Sequence, residues 1–469
     1  MNSKIVQEGD ILLRQVFEKL GAASLIILAN NFFVTLLNFA IMLILLSYLG
    51  IYNYGIYILL ISIVGFGEQL STLGIFPLIV TEISREQGCK NYSRVKTLLY
   101  RFALLQAAAG ILIAAGIFAF SFFAMPIYGK EIGNALFVFS LYFLLFPLKN
   151  VFNVTFGSFL KFHYLAGFAS FELLCRLILL FAAFHFFGAA LFVVSVVFLI
   201  SLIASLLAAG FLFVRLTSFL LKVAREKANV FFNLVKSIFV YGFITHQIKN
   251  AYMNLYPWLI NLFLSVEAVG IFAVLLRVVS VMLRLLEPIE EGLLPIIASL
   301  QESKEQRTKL FSRLTKYTLA FGLVLMAASW LAMPFIPLII GSSFKGNELA
   351  FLFLALVLPI YALNMTIRPV LFKEQEQRFI TGTVFISLVA SVSFGAILMP
   401  KIGLIGAAIG YVAFQFVNYL IQRQFLKRKY GLSFNYAIIF SFDDVDRKLI
   451  YELKKLILSF PKKIARKLK

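Results

Sequence analysis

Charge is scarce in this chain, and acid is the scarcest part of it. Only 14% of the 469 residues are charged and only 22 are Asp or Glu, against about 25% charged in an average soluble domain. Surface-to-volume scaling leaves a soluble fold of this length a large polar shell, so a soluble architecture is excluded. The two cysteines sit apart, Cys89 in a loop and Cys175 inside an apolar segment, and provide no disulfide framework. The three histidines, His163, His185 and His246, are scattered and suggest no metal site. There is no P-loop, no GxSxG and no HExxH, and no soluble segment is left over to bind ATP; catalysis and ATP-driven transport are therefore not expected, nor is any cofactor. The N-terminus, Met1 to Leu20, lacks the apolar core of a signal peptide, so the first apolar span is expected to act as its own insertion signal.

What is abundant is apolar. The chain is 61% hydrophobic, with 53 Phe and 19 Tyr, a composition suited to acyl chains and their interfaces. Twelve runs approach the roughly 20 apolar residues that a spanning helix needs. They are Leu25–Tyr48, Tyr54–Val80, Phe102–Phe123, Ala135–Leu160, Ala166–Phe186, Ala189–Val214, Ser237–Leu264, Val269–Ala298, Thr318–Ile340, Leu349–Phe372, Ile380–Met399 and Ile405–Ile421. Pro288 and Pro295 are expected to kink the eighth or end it early. The fold class is an all-α polytopic membrane protein. It divides into an N-tail (1–23), a first six-helix bundle (24–214), a linker (215–236), a second bundle (237–422) and a basic tail (423–469).

The loops test this map. Alternating them puts 34 Lys and Arg on one face and three, Lys130, Lys345 and Lys401, on the other. By the positive-inside rule the rich face is cytoplasmic, so both termini, the linker and the tail are expected there, in a cell (inner or plasma) membrane. The net charge of +21 is thus explained by orientation, and no nucleic-acid partner is needed. In the tail, Asp443 to Leu458 has helical apolar spacing between basic flanks. It reads as an amphipathic helix on anionic lipid or, alternatively, as a docking site for a glycan-assembly enzyme.

The two halves repeat. Leu49-Gly50-Ile51-Tyr52-Asn53-Tyr54-Gly55-Ile56-Tyr57 is matched 215 residues on by Leu264-Ser265-Val266-Glu267-Ala268-Val269-Gly270-Ile271-Phe272. Phe76-Pro77 matches Leu294-Pro295. Phe146-Pro147 with Lys161 matches Leu358-Pro359 with Lys373, and Gly188-Ala189-Ala190 matches Gly406-Ala407-Ala408. Six helices per copy is an even number, so both copies insert the same way up, a parallel repeat with its axis along the membrane normal.

Six cations remain inside the spans: Lys149, Arg176, Lys249, Arg277, Arg284 and Arg368, opposed by Glu68 and Glu172. A charge at mid-bilayer costs about 3 kcal/mol on insertion scales, so such groups should face one another or a wet cavity. Arg368 is close enough to its helix end to snorkel. Glu172 and Arg176, at i and i+4, suit an intrahelical pair. Arg277 and Arg284 share a helix face. Lys149, just after Pro147, is either structural or a ligand. The seventh span is polar, with His246, Gln247, Lys249, Asn250, Asn254 and Asn261 beside Tyr252, Tyr256 and Trp258; its counterpart, the first, carries Asn30, Asn31 and Asn38. These stripes are either interhelical glue or the lining of a lumen. In the second reading Arg277, Lys249, Arg284, Arg176 and Lys149 form a cationic cavity for a phosphate-bearing cargo. Asn31, His246, Asn250, Tyr252 and Asn254 then line it for a sugar.

The element from Leu49 to Tyr57, followed by Leu73-Gly74-Ile75 and Thr81-Glu82-Ile83-Ser84-Arg85, resembles the N-terminal signature of the polysaccharide transporter (Wzx-type flippase) family of the multidrug/oligosaccharidyl-lipid/polysaccharide exporter superfamily. The likeness runs over about residues 20–425. It implies two six-helix bundles in a V, alternating access, and a polyprenyl-(pyro)phosphate-linked oligosaccharide as cargo, flipped for surface polysaccharide synthesis, O-antigen among such products. It also implies coupling to a proton or sodium gradient or to the membrane potential, with Glu68, Glu172 and His246 as the titratable candidates. Two alternatives are an ion-coupled multidrug exporter, which would want lumenal carboxylates, and a lipid II flippase, which usually has two more helices.

Overall fold

The computed structural model describes residues 2–72, 74–226, 247–248, 251–287, 289, 304–341, 345–374 and 376–432. Every long element among them is an α-helix. In chain order these are α1 (Asn2–Thr72), α2 (Phe76–Gly88), α3 (Tyr92–Tyr128), α4 (Lys130–Ser158), α5 (Phe162–Phe187) and α6 (Leu191–Leu221). Then come α7 (251–263), α8 (Val266–Arg284), α9 (Lys304–Ala332), α10 (Glu348–Ala355), α11 (Val357–Lys373), α12 (Gln377–Ile402) and α13 (Leu404–Tyr430).

Ten segments among the described residues are long and apolar enough to cross a membrane. The first, Asn30–Gly88, holds two of the expected runs. They are separated by a kink at Gly50, where φ is +72° inside α1, a conformation that only glycine adopts without strain. The seventh expected run is described only at 247–248 and from 251 on. The twelve-run map and the helices agree wherever both exist.

Their ends differ, for identifiable reasons. The second run breaks after Thr72 and restarts as α2 with Pro77 in its first turn, the position where a missing N–H costs nothing. The tenth run divides into α10 and α11 at Leu356, because the ring of Pro359 clashes with the carbonyl one turn back. The eighth run stops at Arg284, ahead of Pro288; Pro288 and Pro295 themselves lie outside the described residues. Both α6 and α13 outrun their apolar stretches, to Leu221 and Tyr430. The tail helix expected over 443–458 lies outside the described residues.

In the first half α3 packs on α4, α4 and α5 on α6, and α1 on α5. In the second, α12, α10 and α11 pack on α13, and α9 on α11. Each half holds buried polar side chains that pair with one another. Asn150 donates to Gln106 Oε1 at 2.8 Å, and Gln106 donates to the Ser71 carbonyl at 3.0 Å. Gln422 donates to Asn418 Oδ1 at 2.9 Å. Beyond α6 the chain lies along α3: Lys96 Nζ donates to the carbonyls of Leu221 (3.1 Å) and Val223 (2.7 Å), and the Arg225 guanidinium stacks 3.7 Å over Tyr100. The halves meet where the second arm of α1, the part after Gly50, faces α7 and α8.

Candidate functional site

The repeat motif makes the seam. Gly55 of α1 and its repeat mate Gly270 of α8 lie against each other's backbones. A Cβ on Gly55 would stand 2.1 Å from the Val266 carbonyl oxygen, and one on Gly270 would stand 2.4 Å from that of Ile51. No side chain fits between them, so the two halves are shut at this end by main chain on main chain. Farther along, α1 and α7 are latched by side chains. Trp258 Nε1 donates to Ser62 Oγ at 2.6 Å, Gln247 Nε2 donates to the Gln69 carbonyl at 2.9 Å, and Asn254 rests on Gly65.

Between these contacts is a cavity of about 200 Å³ walled by α1, α7, α8 and α13. Tyr54 and Ser62 come from α1, Asn254 and Tyr256 from α7, Arg277 and Ser280 from α8, and Tyr411 from α13. Arg277 is half-buried, and among the described residues no carboxylate pairs with it. Tyr256 and Tyr411 are fixed from behind: the Tyr256 hydroxyl donates to the Ala407 carbonyl, and the two rings meet edge to face at 5.4 Å. The wall is therefore aromatic and amide-bearing, with Arg277 as the one cation among the described residues.

A second charge cluster sits behind it in the first half. Glu172 of α5 takes Lys149 Nζ of α4 at 2.7 Å and Arg176 Nη2 at 2.6 Å. The intrahelical pair is formed, and Lys149 joins it from another helix. The Arg176 guanidinium also lies 3.7 Å over the Phe198 ring. Two cations share one carboxylate, so the cluster keeps a net positive charge. Nearby, Glu68 accepts the Tyr142 hydroxyl at 2.7 Å. Tyr57 lies within electrostatic reach of both Arg176 and Arg277, and its ring meets Phe198, the ring under the Arg176 guanidinium, edge to face at 6.3 Å.

The other expected site residues are distributed differently. Arg284 is exposed and paired with Glu287 at 2.8 Å, away from the cavity. Tyr252 is buried within the second half; its hydroxyl donates to the Tyr411 carbonyl at 2.6 Å and its ring stacks on Phe414, so it braces the wall from behind. Asn31 is half-buried on the first arm of α1, next to Asn30, whose amide oxygen accepts the Ser170 hydroxyl at 2.6 Å. His246, Lys249 and Asn250 lie outside the described residues. Of the five cations expected in one cavity, the four that are described are divided: Arg277 lines it, Arg176 and Lys149 form the separate cluster, and Arg284 is apart. Sequence reasoning passed over Tyr54, Tyr57, Ser62 and Tyr142. A usable signal was present for Tyr54 and Ser62. Tyr54, Ile58, Ile61 and Ser62 recur at helical spacing on the face that also carries Gly55.

The sequence profile of a family described as "Polysaccharide biosynthesis protein" matches residues 20–301. No curated protein sequence matches the chain. Among solved structures, the chain is similar to the inward-facing conformation of a multidrug resistance MATE family transporter of the MOP superfamily (14% identity, 85% of this chain and 94% of that chain, TM-score 0.69). It is also similar to the outward-facing conformation of such a transporter (13%, 87% and 95%, TM-score 0.63). A third similar structure is a MOP superfamily transporter from Pyrococcus furiosus described by the reverse polarity of its binding pocket (14%, 87% and 95%, TM-score 0.60). At these identities the likeness establishes the fold, that of a multi-pass membrane transporter.

Proposed function

Because the chain belongs to the polysaccharide biosynthesis protein family, with 282 of its 469 residues in the matched segment, we propose that it is a flippase carrying a lipid-(pyro)phosphate-linked oligosaccharide from the cytoplasmic to the outer leaflet of a cell membrane. The observation that carries this reading is Arg277: a guanidinium in a cavity between two halves, with no acidic partner among the described residues. A planar fork of donors in a low-dielectric wall is matched by phosphate. The tyrosine and amide groups around it suit sugar hydroxyls. An exporter of cationic drugs would want a free carboxylate there, and among the described residues the cavity wall has none.

On the orientation expected from the basic loops, the Gly55–Gly270 end is the outer one, so the state described is shut outward. The higher similarity score to the inward-facing transporter supports the same reading. In this scheme the head enters from the cytoplasmic side, binds Arg277, and leaves when the halves rock and the glycine seam parts. Arg176 is the next cation an anion meets, across Tyr57. Glu172 is the coupling candidate, since protonating it would release Lys149 and Arg176 together.

The test is translocation of a fluorescent polyprenyl-pyrophosphate sugar in proteoliposomes. Charge-assisted hydrogen bonds contribute about 1.5–3 kcal/mol, so Arg277→Ala should slow translocation by about 10- to 150-fold, and Arg277→Lys by less. Full flux in a monodisperse Arg277→Ala protein would overturn the reading.

A further inference from the structure

Immediately beside the Arg277 cavity, across the α1–α7 contact, is a larger apolar groove of about 650 Å³ walled by α1, α3 and α7, inside the range of about 300–1,000 Å³ in which ligand pockets fall. Ser62 and Asn254 belong to both walls, so cavity and groove are separated by one layer, the layer held by the Trp258–Ser62 hydrogen bond. The groove continues past Trp258 and Phe120 into a further apolar hollow of about 200 Å³ reaching Tyr52. From Leu70 to Tyr52 along α1 the path covers 18 residues, about 27 Å at 1.5 Å per residue. The hydrocarbon core of a bilayer is about 30 Å thick.

Two details point to an occupant. Gly116 of α3 lines the groove at its exposed side, and a Cβ there would meet nothing within 4 Å; the groove is open along that side to an acyl chain. At the neck, Asn254 Nδ2 is buried and has no hydrogen-bond partner among the described residues, although a buried donor left unpaired is costly. A donor at the junction of a cationic chamber and an apolar channel fits the ester oxygens that join a phosphate head to a lipid chain.

We propose that this groove is the track for the polyisoprenoid tail of the cargo. The head sits at Arg277, the phosphoester passes between Ser62 and Asn254, and the tail lies along α1 for the thickness of the membrane. The tail then keeps an apolar environment at every stage while the head changes sides, and the Trp258–Ser62 latch is the lateral gate through which the lipid enters. This rests on the flippase reading above, and the experiment separates the two.

The full-length protein in nanodiscs is photolabelled with a polyprenyl phosphate bearing a diazirine on its tail, and translocation is measured in parallel. Label should fall on peptides covering 112–120 and 254–258, and should be competed by unlabelled polyprenyl phosphate but not by neutral polyprenol. Filling the groove by Gly116→Ala, Gly116→Leu and Gly116→Phe should reduce labelling progressively, at least fivefold for Phe. Each of these raises helix propensity, and the graded series guards against one misfolded variant. Arg277→Ala should reduce groove labelling similarly. Groove labelling that persists in Arg277→Ala, or that polyprenol competes equally, would identify bulk lipid as the occupant and overturn the inference. If Arg277→Ala stops translocation while the Gly116 series changes neither label nor flux, the groove fails and the flippase reading stands. If no variant alters flux, the flippase reading fails.

Discussion

The seam at Gly55 and Gly270 allows the transport cycle to be perturbed from outside the cavity. A methyl group on Gly55 would lie 2.1 Å from the Val266 oxygen, whereas carbon and carbonyl oxygen in contact stay about 3.3 Å apart. Relief requires the backbones to separate by about 1 Å, since neither colliding atom belongs to a side chain that can rotate away. Overpacking of this kind costs about 1–3 kcal/mol. The cost falls only on the state in which the seam is shut. A rocking equilibrium should therefore shift toward the open seam by about 5- to 150-fold. The assay is pulsed electron–electron distance measurement between spin labels at Tyr52 and Leu262, both exposed, in a background lacking Cys89 and Cys175. Gly55→Ala and Gly270→Ala should each add a longer-distance population. Combined they should be less than additive, because they open one gap. Gly382→Ala, where a Cβ meets nothing within 4 Å, is the control. Unchanged distances in folded Gly55→Ala protein would refute the claim that main-chain contact holds this end shut.

Other outcomes follow from the same contacts. Glu172→Gln strands Lys149 and Arg176 without a counter-ion; breaking a buried pair costs about 3–5 kcal/mol. Thermal unfolding in detergent should therefore show a larger loss than for Arg176→Gln, which leaves the Lys149–Glu172 pair intact. Equal losses would mean that the cluster is not balanced by that carboxylate. Ser62→Ala removes one neutral hydrogen bond, about 1 kcal/mol, from the α1–α7 latch and should raise the rate of tail labelling without reducing its extent. At the turn before α12, the hydrogen bond from Lys429, followed by that from Tyr430, holds the Glu376 carboxyl below the usual carboxylate range. A lowered pKa stabilises above the unfolded value and is lost as pH falls through the folded one. The wild type should thus lose more thermal stability than Glu376→Gln on acidification below about pH 4.3.

Much of this was legible in the sequence because the bilayer imposes it. The thickness of the hydrocarbon core sets the length of an apolar run, and each run that falls on described residues coincides with a helix. Helix ends were less legible. Hydropathy passes smoothly through the segment in which the backbone turns at Gly74-Ile75, and it stops at Val214 and Ile421 although Arg, Lys and Gln continue a helix well. In the site, Arg277 was visible as a mid-membrane charge, and the Glu172–Arg176 pair followed from i, i+4 spacing. Lys149 as third partner was not visible, because its contact joins α4 to α5 across 23 residues. Tyr252 and Tyr256 sit one turn apart on a polar helix, and spacing alone does not tell which ring meets the cavity and which braces it.

The duplication itself indicates where chemistry was added to scaffold. At the offset of 215 that pairs Gly55 with Gly270, Arg277 pairs with Ser62. The glycines are kept because both copies need the same close approach on the pseudo-twofold axis. Arginine and serine differ, and they differ across that axis: one places a guanidinium in the cavity, the other a small hydroxyl on the wall toward the apolar groove. In the same way Lys149 pairs, at the offset of 212 that relates Pro147 to Pro359, with Tyr361. A fully symmetric chamber would bind the two ends of a molecule alike. Breaking the symmetry at Arg277 and Ser62 gives the chamber a charged side and an oily side, which is the property the proposed flippase needs to orient a cargo anionic at one end and hydrocarbon at the other. Exchanging the pair, Arg277→Ser with Ser62→Arg, restores the charge count but reverses its side. If orientation is what the asymmetry supplies, the exchanged protein should fold, retain one cation in the seam, and fail to translocate. Restored flux would show that only the presence of a cation matters.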